Sequence, residues 1–299
     1  MHIDEVESDA HLVRRLLAAQ FPQWAGLTID LVHSAGTDNA LYRVGDDMVV
    51  RLPRIAAAAG QVDKEHQWLP KFAPLLTLPI PAPLAKGAPG EGYPWNWSVY
   101  RWLEGEPASI ERLASPSQTA NELARFIATL HRIDPAGGPP PGTHNSFRGA
   151  ALAMRDTATR NAISALRGAV DVAAATSAWD AALQAPQWDD GPVWIHGDLQ
   201  SGNLLAQHGQ LTAVIDFGCI GVGDPACDLI VAWNLFSAES RHIFRNALQV
   251  DDATWARGRG WALSIGLIAL PYYWTTNPEL ARINRYAIDE VLAAQRCAG

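Results

Sequence analysis

Hydrophobic and polar positions along this chain change their rhythm near its first third. Ala10 to Ala19 carries apolar residues at helical spacing and predicts an amphipathic helix ahead of a first sheet. Leu27 to His33 reads as a strand, and Leu41 to Val44 and Met48 to Leu52 flank Gly45-Asp46-Asp47, a strong hairpin signal. Gln61 to Leu69 predicts a short helix ended by Pro70, and Trp97 to Leu103 another strand. From Ser115-Pro116 onward helices take over. Ser115 is placed as an N-cap with Pro116 at the first helical position, and Leu123, Phe126, Ile127 and Leu130 form a core-facing stripe. Asp134 to Thr143, rich in Pro and Gly, predicts a surface loop, while Ala150 to Leu183 and Pro225 to Ala298 read as mostly alanine-rich helix.

One segment breaks this pattern with chemistry. Val193-Trp194-Ile195 is a short apolar strand that delivers His196-Gly197-Asp198-Leu199-Gln200-Ser201-Gly202-Asn203 onto a loop. Leu204 to Ala206 and Leu211 to Ile215 then predict a hairpin about the turn Gln207-His208-Gly209-Gln210, ending at Asp216-Phe217-Gly218 and bringing Asn203 and Asp216 side by side. Phosphoryl transfer needs hard oxygen ligands for a metal ion and a carboxylate aimed at the attacking hydroxyl. Asp198 is the residue to accept the hydroxyl proton, with Asn203 and Asp216 as the metal ligands. A two-metal phosphoesterase built on His196, Asp198 and Asp216 is the competing chemistry; it needs further His or Asp ligands at strand ends, and no second histidine motif follows.

HGDLQSGNLL followed by IDFG resembles the catalytic and metal loops of the aminoglycoside phosphotransferase family, the small-molecule branch of the protein-kinase-like fold. The resemblance implies an α+β, bilobal protein-kinase-like fold. Residues 1–103 would form a small N-lobe with an antiparallel sheet and one helix, and residues 104–299 a larger, mainly helical C-lobe. It implies ATP or GTP with Mg²⁺, and transfer of the γ-phosphoryl group to a hydroxyl of a small molecule, an antibiotic such as an aminoglycoside before a macrolide, a nucleoside compound or a metabolite. By the same resemblance His196 anchors the catalytic loop and Asp228 supports it from below, while Asp224 before Pro225 has the form of an N-cap.

On the nucleotide side, Ser34, Gly36, Thr37 and Asn39 occupy the place of the family's phosphate-covering loop, with one glycine in the string. The strand position that carries lysine in protein kinases carries Arg51 here, and the following helix offers Glu65 as its partner. Arginine is a planar fork where lysine is a point charge, so the exchange leaves a weak or inactive nucleotide-binding protein as an alternative reading. The purine edge pairs with backbone groups, for which Arg101 and Leu103 are named by resemblance; Tyr100 and Trp102 either pack at the purine or fill the core, the core reading being favoured. Asp216 is followed by no long peptide-docking segment with an A-P-E signature, which favours a small acceptor. Trp233, Glu239, Tyr272 and Trp274 are the candidate acceptor contacts, carboxylates suiting an amine-bearing sugar and aromatics a flat or apolar ring.

Length and charge narrow the setting. A chain of 299 residues has room for one large domain or two lobes. A formal net charge of -8 disfavours nucleic acid and anionic membranes as partners and is compatible with a cationic substrate. Cys219, Cys227 and Cys297 form no metal-ligand spacing, and their odd number argues against a disulfide framework. The N-terminus, Met1 to Glu7, is acidic where a signal peptide is basic, and Ala262 to Tyr273, interrupted by Pro271, is too short to span a bilayer. The expectation is a soluble, cytoplasmic protein without an obligate protein partner.

Overall fold

The structure, a computed structural model, describes residues 5–34, 36 and 38–298. Thr37 and the first four residues lie outside the described set, as does the side chain of Cys297. The chain divides into two compact units: Met1–Gly105 together with Ala213–Gly218, and Glu106–Thr212 together with Cys219–Gly299.

In the first unit, helix α1 (Ala10–Gln20) starts at Asp9, whose carboxylate accepts the Leu12 amide at 2.7 Å and so satisfies one of the helix's unpaired N–H groups. Its apolar stripe, Leu12, Val13, Leu16 and Leu17, is buried in one core with the sheet. That sheet is five-stranded and antiparallel, in the order β1 (Ile29–Val32), β2 (Asn39–Val44), β3 (Met48–Pro53), β5 (Trp97–Arg101), β4 (Pro83–Gly87). The predicted hairpin holds, with Val44 opposite Met48 and Gly45 in the left-handed region at φ 59°. Strand β4 has no counterpart in the sequence reading, because prolines flank and open it; it lies at the sheet edge, where a missing N–H costs no ladder bond. Its Gly87 is obligatory, since a Cβ there would stand 1.9 Å from the Trp97 indole.

Helix α2 (Ala56–Phe72) corrects the expected Gln61 to Leu69 at both ends. The alanines before Gly60 have enough helical propensity to start it early. Pro70 sits in the last turn, where its missing donor removes a single intrahelical bond, so the helix closes two residues beyond it rather than before it.

In the second unit, β6 (Glu106–Pro107) pairs with β8 (Leu204–Gln207), which joins β9 (Gln210–Val214) in a three-stranded sheet; β7 (Val193–Ile195) pairs with β10 (Gly221–Gly223). The predicted hairpin after the catalytic loop is thus present. Helix α3 (Pro116–His131) begins as read, with the Ser115 hydroxyl accepting from the Gln118 amide, and its four predicted stripe residues are all buried. The Pro/Gly segment after it is not merely a surface loop. Its Asp134 carbonyl accepts the Trp194 indole N–H at 2.8 Å, and Gly138 packs so closely on Val222 that a Cβ would lie 2.3 Å from it. The helical stretch after it resolves into α4 (Asp156–Ala165) and α5 (Val172–Leu183), separated at Gly168 with φ 86°.

Next come α6 (Val231–Asn234), α7 (Ala238–Leu248), α8 (Asp252–Thr276) and α9 (Pro278–Ala298). Pro271 does not interrupt α8, which runs five residues past it. The helix is wrapped by neighbours: Gly258 faces Leu229, Gly260 faces Leu152 and Ala182 of α5, and Gly266 faces Ile288 of α9. No helix among the described residues is long and apolar enough to cross a membrane.

Candidate active site

The residues singled out by the sequence fall into two constellations, one in each unit. In the first, Arg51 projects from β3 toward α2 as the centre of a network of acceptors. Its Nη1 donates to both Glu65 oxygens at 2.5 and 2.6 Å, and its Nη2 donates to Gln61 Oε1 at 2.8 Å and to Asp216 Oδ1 at 3.2 Å. With the Asn39 carboxamide turned so that its oxygen faces the guanidinium, that oxygen accepts from Nη2 at 2.9 Å and Nε at 3.2 Å. Burial by itself pushes the Arg51 pKa down, but the charges of Glu65 and Asp216 outweigh burial and raise it, so the cation is fixed. Glu65 is buried too, and takes a further hydrogen bond from the Tyr100 hydroxyl, whose own pKa is driven well up, first by burial and then by that carboxylate. The Arg51–Glu65 pair is therefore an interior pair and not a surface one.

Asp216 follows β9 in a left-handed conformation, φ 62°, which aspartate tolerates better than most residues. Gly218 beside it accepts the Lys64 ammonium on its carbonyl at 2.7 Å, and a Cβ on Gly218 would meet the Gln61 amide at 2.7 Å. Gln61, which the sequence reading did not single out, thus joins Arg51 to the Asp216 turn; a lone Gln on a helix carries no signal of such a role. Ser34 and Gly36 lie in the connection from β1 to β2, where a Cβ on Gly36 would meet only the Ser34 hydroxyl oxygen, at 3.7 Å. The Arg101 amide is committed to the Ala82 carbonyl at 3.0 Å, and its side chain to Asp47, whereas Leu103 follows the end of β5. Tyr100 is core, as read; Trp102 is covered by the Arg43 guanidinium, 4.7 Å above its ring.

In the second unit the loop from His196 to Asn203 is built around Asp228. This carboxylate, fully buried, accepts the Gly197 amide at 2.8 Å, the His196 amide at 3.1 Å and the His131 ring Nε2 at 3.1 Å. Asp228, expected by resemblance to support the loop from below, thus contacts the backbone amides of the loop's first two residues. His196 is itself buried and its Nδ1 accepts the Asp198 amide at 3.2 Å, an anchor for the turn. Gly197 is required there: φ is 81°, and a Cβ would lie 2.7 Å from the Cys219 carbonyl oxygen.

Asp198 emerges from this frame partly exposed, and its Oδ2 accepts from both Gln200 Nε2 and Asn203 Nδ2 at 3.0 Å. Asn203 also donates to the Asp198 carbonyl at 2.9 Å, which commits its amide and leaves its side-chain oxygen as the atom to offer a cation. Arg148, absent from the sequence reading, lies with Nη2 3.5 Å from Asp198 Oδ1. Asp224 is more than an N-cap: its Oδ1 accepts the Ala226 amide at 2.9 Å, and its Oδ2 binds buried Arg257 Nε at 2.8 Å.

Among the candidate acceptor contacts, Trp233 is fully buried with its ring 4.7 Å from that of Trp255, and is a core side chain. Glu239 stands exposed in the first turn of α7, where a carboxylate also complements the helix dipole. Tyr272 and Trp274 are exposed near the end of α8. Among the described residues no group of three or more His, Cys, Asp or Glu side chains is placed to hold a metal ion. A carboxylate and a carboxamide are nevertheless the oxygen donors Mg²⁺ prefers, and it commonly completes its shell with phosphate and water oxygens.

No curated protein matches the chain by sequence. Among solved structures, the GDP complex of wild-type aminoglycoside 2'-phosphotransferase-IIIa is similar over 96% of this chain and 100% of that one, with 18% identity and a TM-score of 0.74. The GDP and kanamycin complex of APH(2")-IIia is similar over 96% and 99%, with 19% identity and a TM-score of 0.74. Macrolide 2'-phosphotransferase MphH from Brachybacterium faecium, as apoenzyme, is similar over 95% and 98%, with 22% identity and a TM-score of 0.57. The expected α+β, kinase-like fold is therefore the one observed. The model of the phosphotransferase enzyme family, APH, matches residues 31–261, a span that contains both the Arg51 network and the Asp198 loop, and the chain is a member of that family.

Proposed function

We propose that this protein is a Mg²⁺-dependent small-molecule kinase that transfers the γ-phosphoryl group of ATP or GTP to a hydroxyl, with Asp198 as the base that receives the hydroxyl proton. The observation that carries this reading is the state of the Asp198 carboxylate: partly exposed, oriented by Gln200 and Asn203 through one oxygen, on a loop held by the buried Asp228. A base of this kind must be rigid and reachable at once. Asn203 and Asp216 fit a hard cation, and Mg²⁺ bound by them would neutralise charge on the phosphate oxygens. Arg51 and Glu65, with Ser34, Gly36, Thr37 and Asn39, are assigned to the phosphates, and the backbone of Arg101 and Leu103 to the purine, within an N-terminal lobe of residues 1–103 and a catalytic lobe of 104–299. The occupied Arg101 amide makes Leu103 the better donor of the two.

For the acceptor we infer an antibiotic hydroxyl, an aminoglycoside first. The support is the family membership, the similarity to structures described with kanamycin and as macrolide phosphotransferases, and the exposed Glu239, Tyr272 and Trp274. The setting that fits is cytoplasmic. Turnover of Mg-ATP and Mg-GTP with kanamycin, gentamicin and a macrolide as acceptors tests the reading. Asp198→Ala should lower transfer by about 10²–10⁴-fold, the worth of a positioned base. Undiminished transfer by that variant would remove Asp198 from its role, and absence of thermal stabilisation by either Mg-nucleotide would favour a degenerate, inactive site.

A further inference from the structure

Arg148 is charged, nearly enclosed and has a single anionic neighbour. Its side chain is 11% exposed, and Asp198 is the only carboxylate within ion-pair distance of it among the described residues. Nη2 lies 3.5 Å from Asp198 Oδ1, too long for a hydrogen bond but close enough for a strong interaction away from bulk water. Nε and Nη1 are buried without a hydrogen-bond partner. The guanidinium lies 5.7 Å from the centroid of the buried Trp261 ring, which Arg155 also approaches at 4.9 Å.

The backbone delivers this side chain at a cost. Ser146 and Phe147 are both left-handed, at φ 52° and 57°, an arrangement that only over-determined sites sustain. Asn145 fixes the next residue from both sides, its carbonyl accepting the Arg148 amide at 3.0 Å and its Nδ2 donating to the Arg148 carbonyl at 3.2 Å. The stem then passes so near the catalytic loop that a Cβ on Gly197 would stand 3.1 Å from Arg148 Cβ. A surface arginine needs none of this.

We propose that Arg148 is a positioning residue for Asp198. Gln200 and Asn203 hold one carboxylate oxygen, and Arg148 attracts the other, so the carboxylate cannot rotate about its last bond and one lone pair stays directed at the incoming hydroxyl. The role rests on Asp198 being the base, and the two ideas fail separately.

The first experiment needs no acceptor: melting temperatures of the full chain as wild type, Arg148→Met, Asp198→Asn and the double variant, without ligands. The loss caused by Arg148→Met should be clearly smaller in the Asp198→Asn background; equal losses in both would overturn the coupling. The second is Mg-ATP turnover. Arg148→Met should lower kcat by about 100-fold, as misplacement of a reacting group does, with nucleotide KM unchanged. Arg148→Lys should retain more activity, and added guanidinium should restore part of that lost by Arg148→Ala. Full activity in Arg148→Met, or a KM effect alone, would overturn the proposal. If Asp198→Ala proves fully active while the stability coupling is present, the base assignment fails and the pairing stands.

Discussion

Arg51 shows how a substitution at one position changes what its neighbours must be. A lysine would bring three donors at one point, whereas the guanidinium presents a planar fork, and here Asn39, Gln61, Glu65 and Asp216 are arranged around that fork. Arg51→Lys keeps the charge and cannot reach them all. It should lower the unfolding free energy by about 2 kcal/mol, the scale of hydrogen bonds to charged groups, measured by urea denaturation with an unchanged slope; wild-type stability would mean that the fork is not used. At Asp228 the expectation comes from the amide it would gain. Asp228→Asn can still accept one backbone N–H but turns a donor toward another, and should cost about 1–3 kcal/mol together with a fall in phosphoryl transfer. The loop's own residues were legible in the sequence because they are contiguous and of chemically specific type. Gln61, His131 and Arg148 were not, since their partners Arg51, Asp228 and Asp198 lie 10, 97 and 50 positions away along the chain and nothing in their local pattern marks them.

At the level of elements, periodicity reads a helix with one buried stripe and fails on a helix buried all round. Helix α3 was found with its cap and its stripe because one face is wet. Ser115→Ala should cost about 1 kcal/mol, the usual worth of such a cap, in thermal or urea unfolding. Helix α8 was read only as part of one helical stretch from Pro225 to Ala298, without ends of its own and with Pro271 as an interruption of its apolar run, because a helix buried all round shows no wet face. In the structure the glycines are contact points. Gly258→Ala is the sharper test: helix propensity favours alanine by about 1 kcal/mol, yet the added Cβ would stand 2.7 Å from Leu229 Cβ. Overpacking should win, with a net loss of about 1–2 kcal/mol, and a variant more stable than wild type would show that the segment at Leu229 can yield. Strand β4 escaped notice for the complementary reason that an edge strand flanked by prolines carries little alternation.

For the molecule as a whole, acidity has a defined consequence through His66. Half-buried on α2, with Nε2 2.8 Å from Ser98 Oγ, it has its pKa lowered by burial first and by the charge of Lys86 second. An unfolded histidine titrates at about 6.5, so as pH falls through that value the unfolded chain takes up a proton that the folded chain refuses, and stability declines. His66→Gln should flatten this part of the stability–pH curve between about pH 7.5 and 5, read as urea midpoints; parallel curves for the two proteins would exclude the effect. Net charge, by contrast, was a coarse guide: the chain carries -8 overall, yet two guanidiniums gather at one buried indole beside the proposed base. The way the chain is apportioned has its own outcome for anyone who would divide it. Because the first unit takes in Ala213–Gly218, expressing residues 1–105 alone would omit the turn that bonds Lys64 and Arg51. A gene fragment ending there would encode an incomplete unit, and exchange between relatives by a single crossover would have to supply that short later stretch from the same parent.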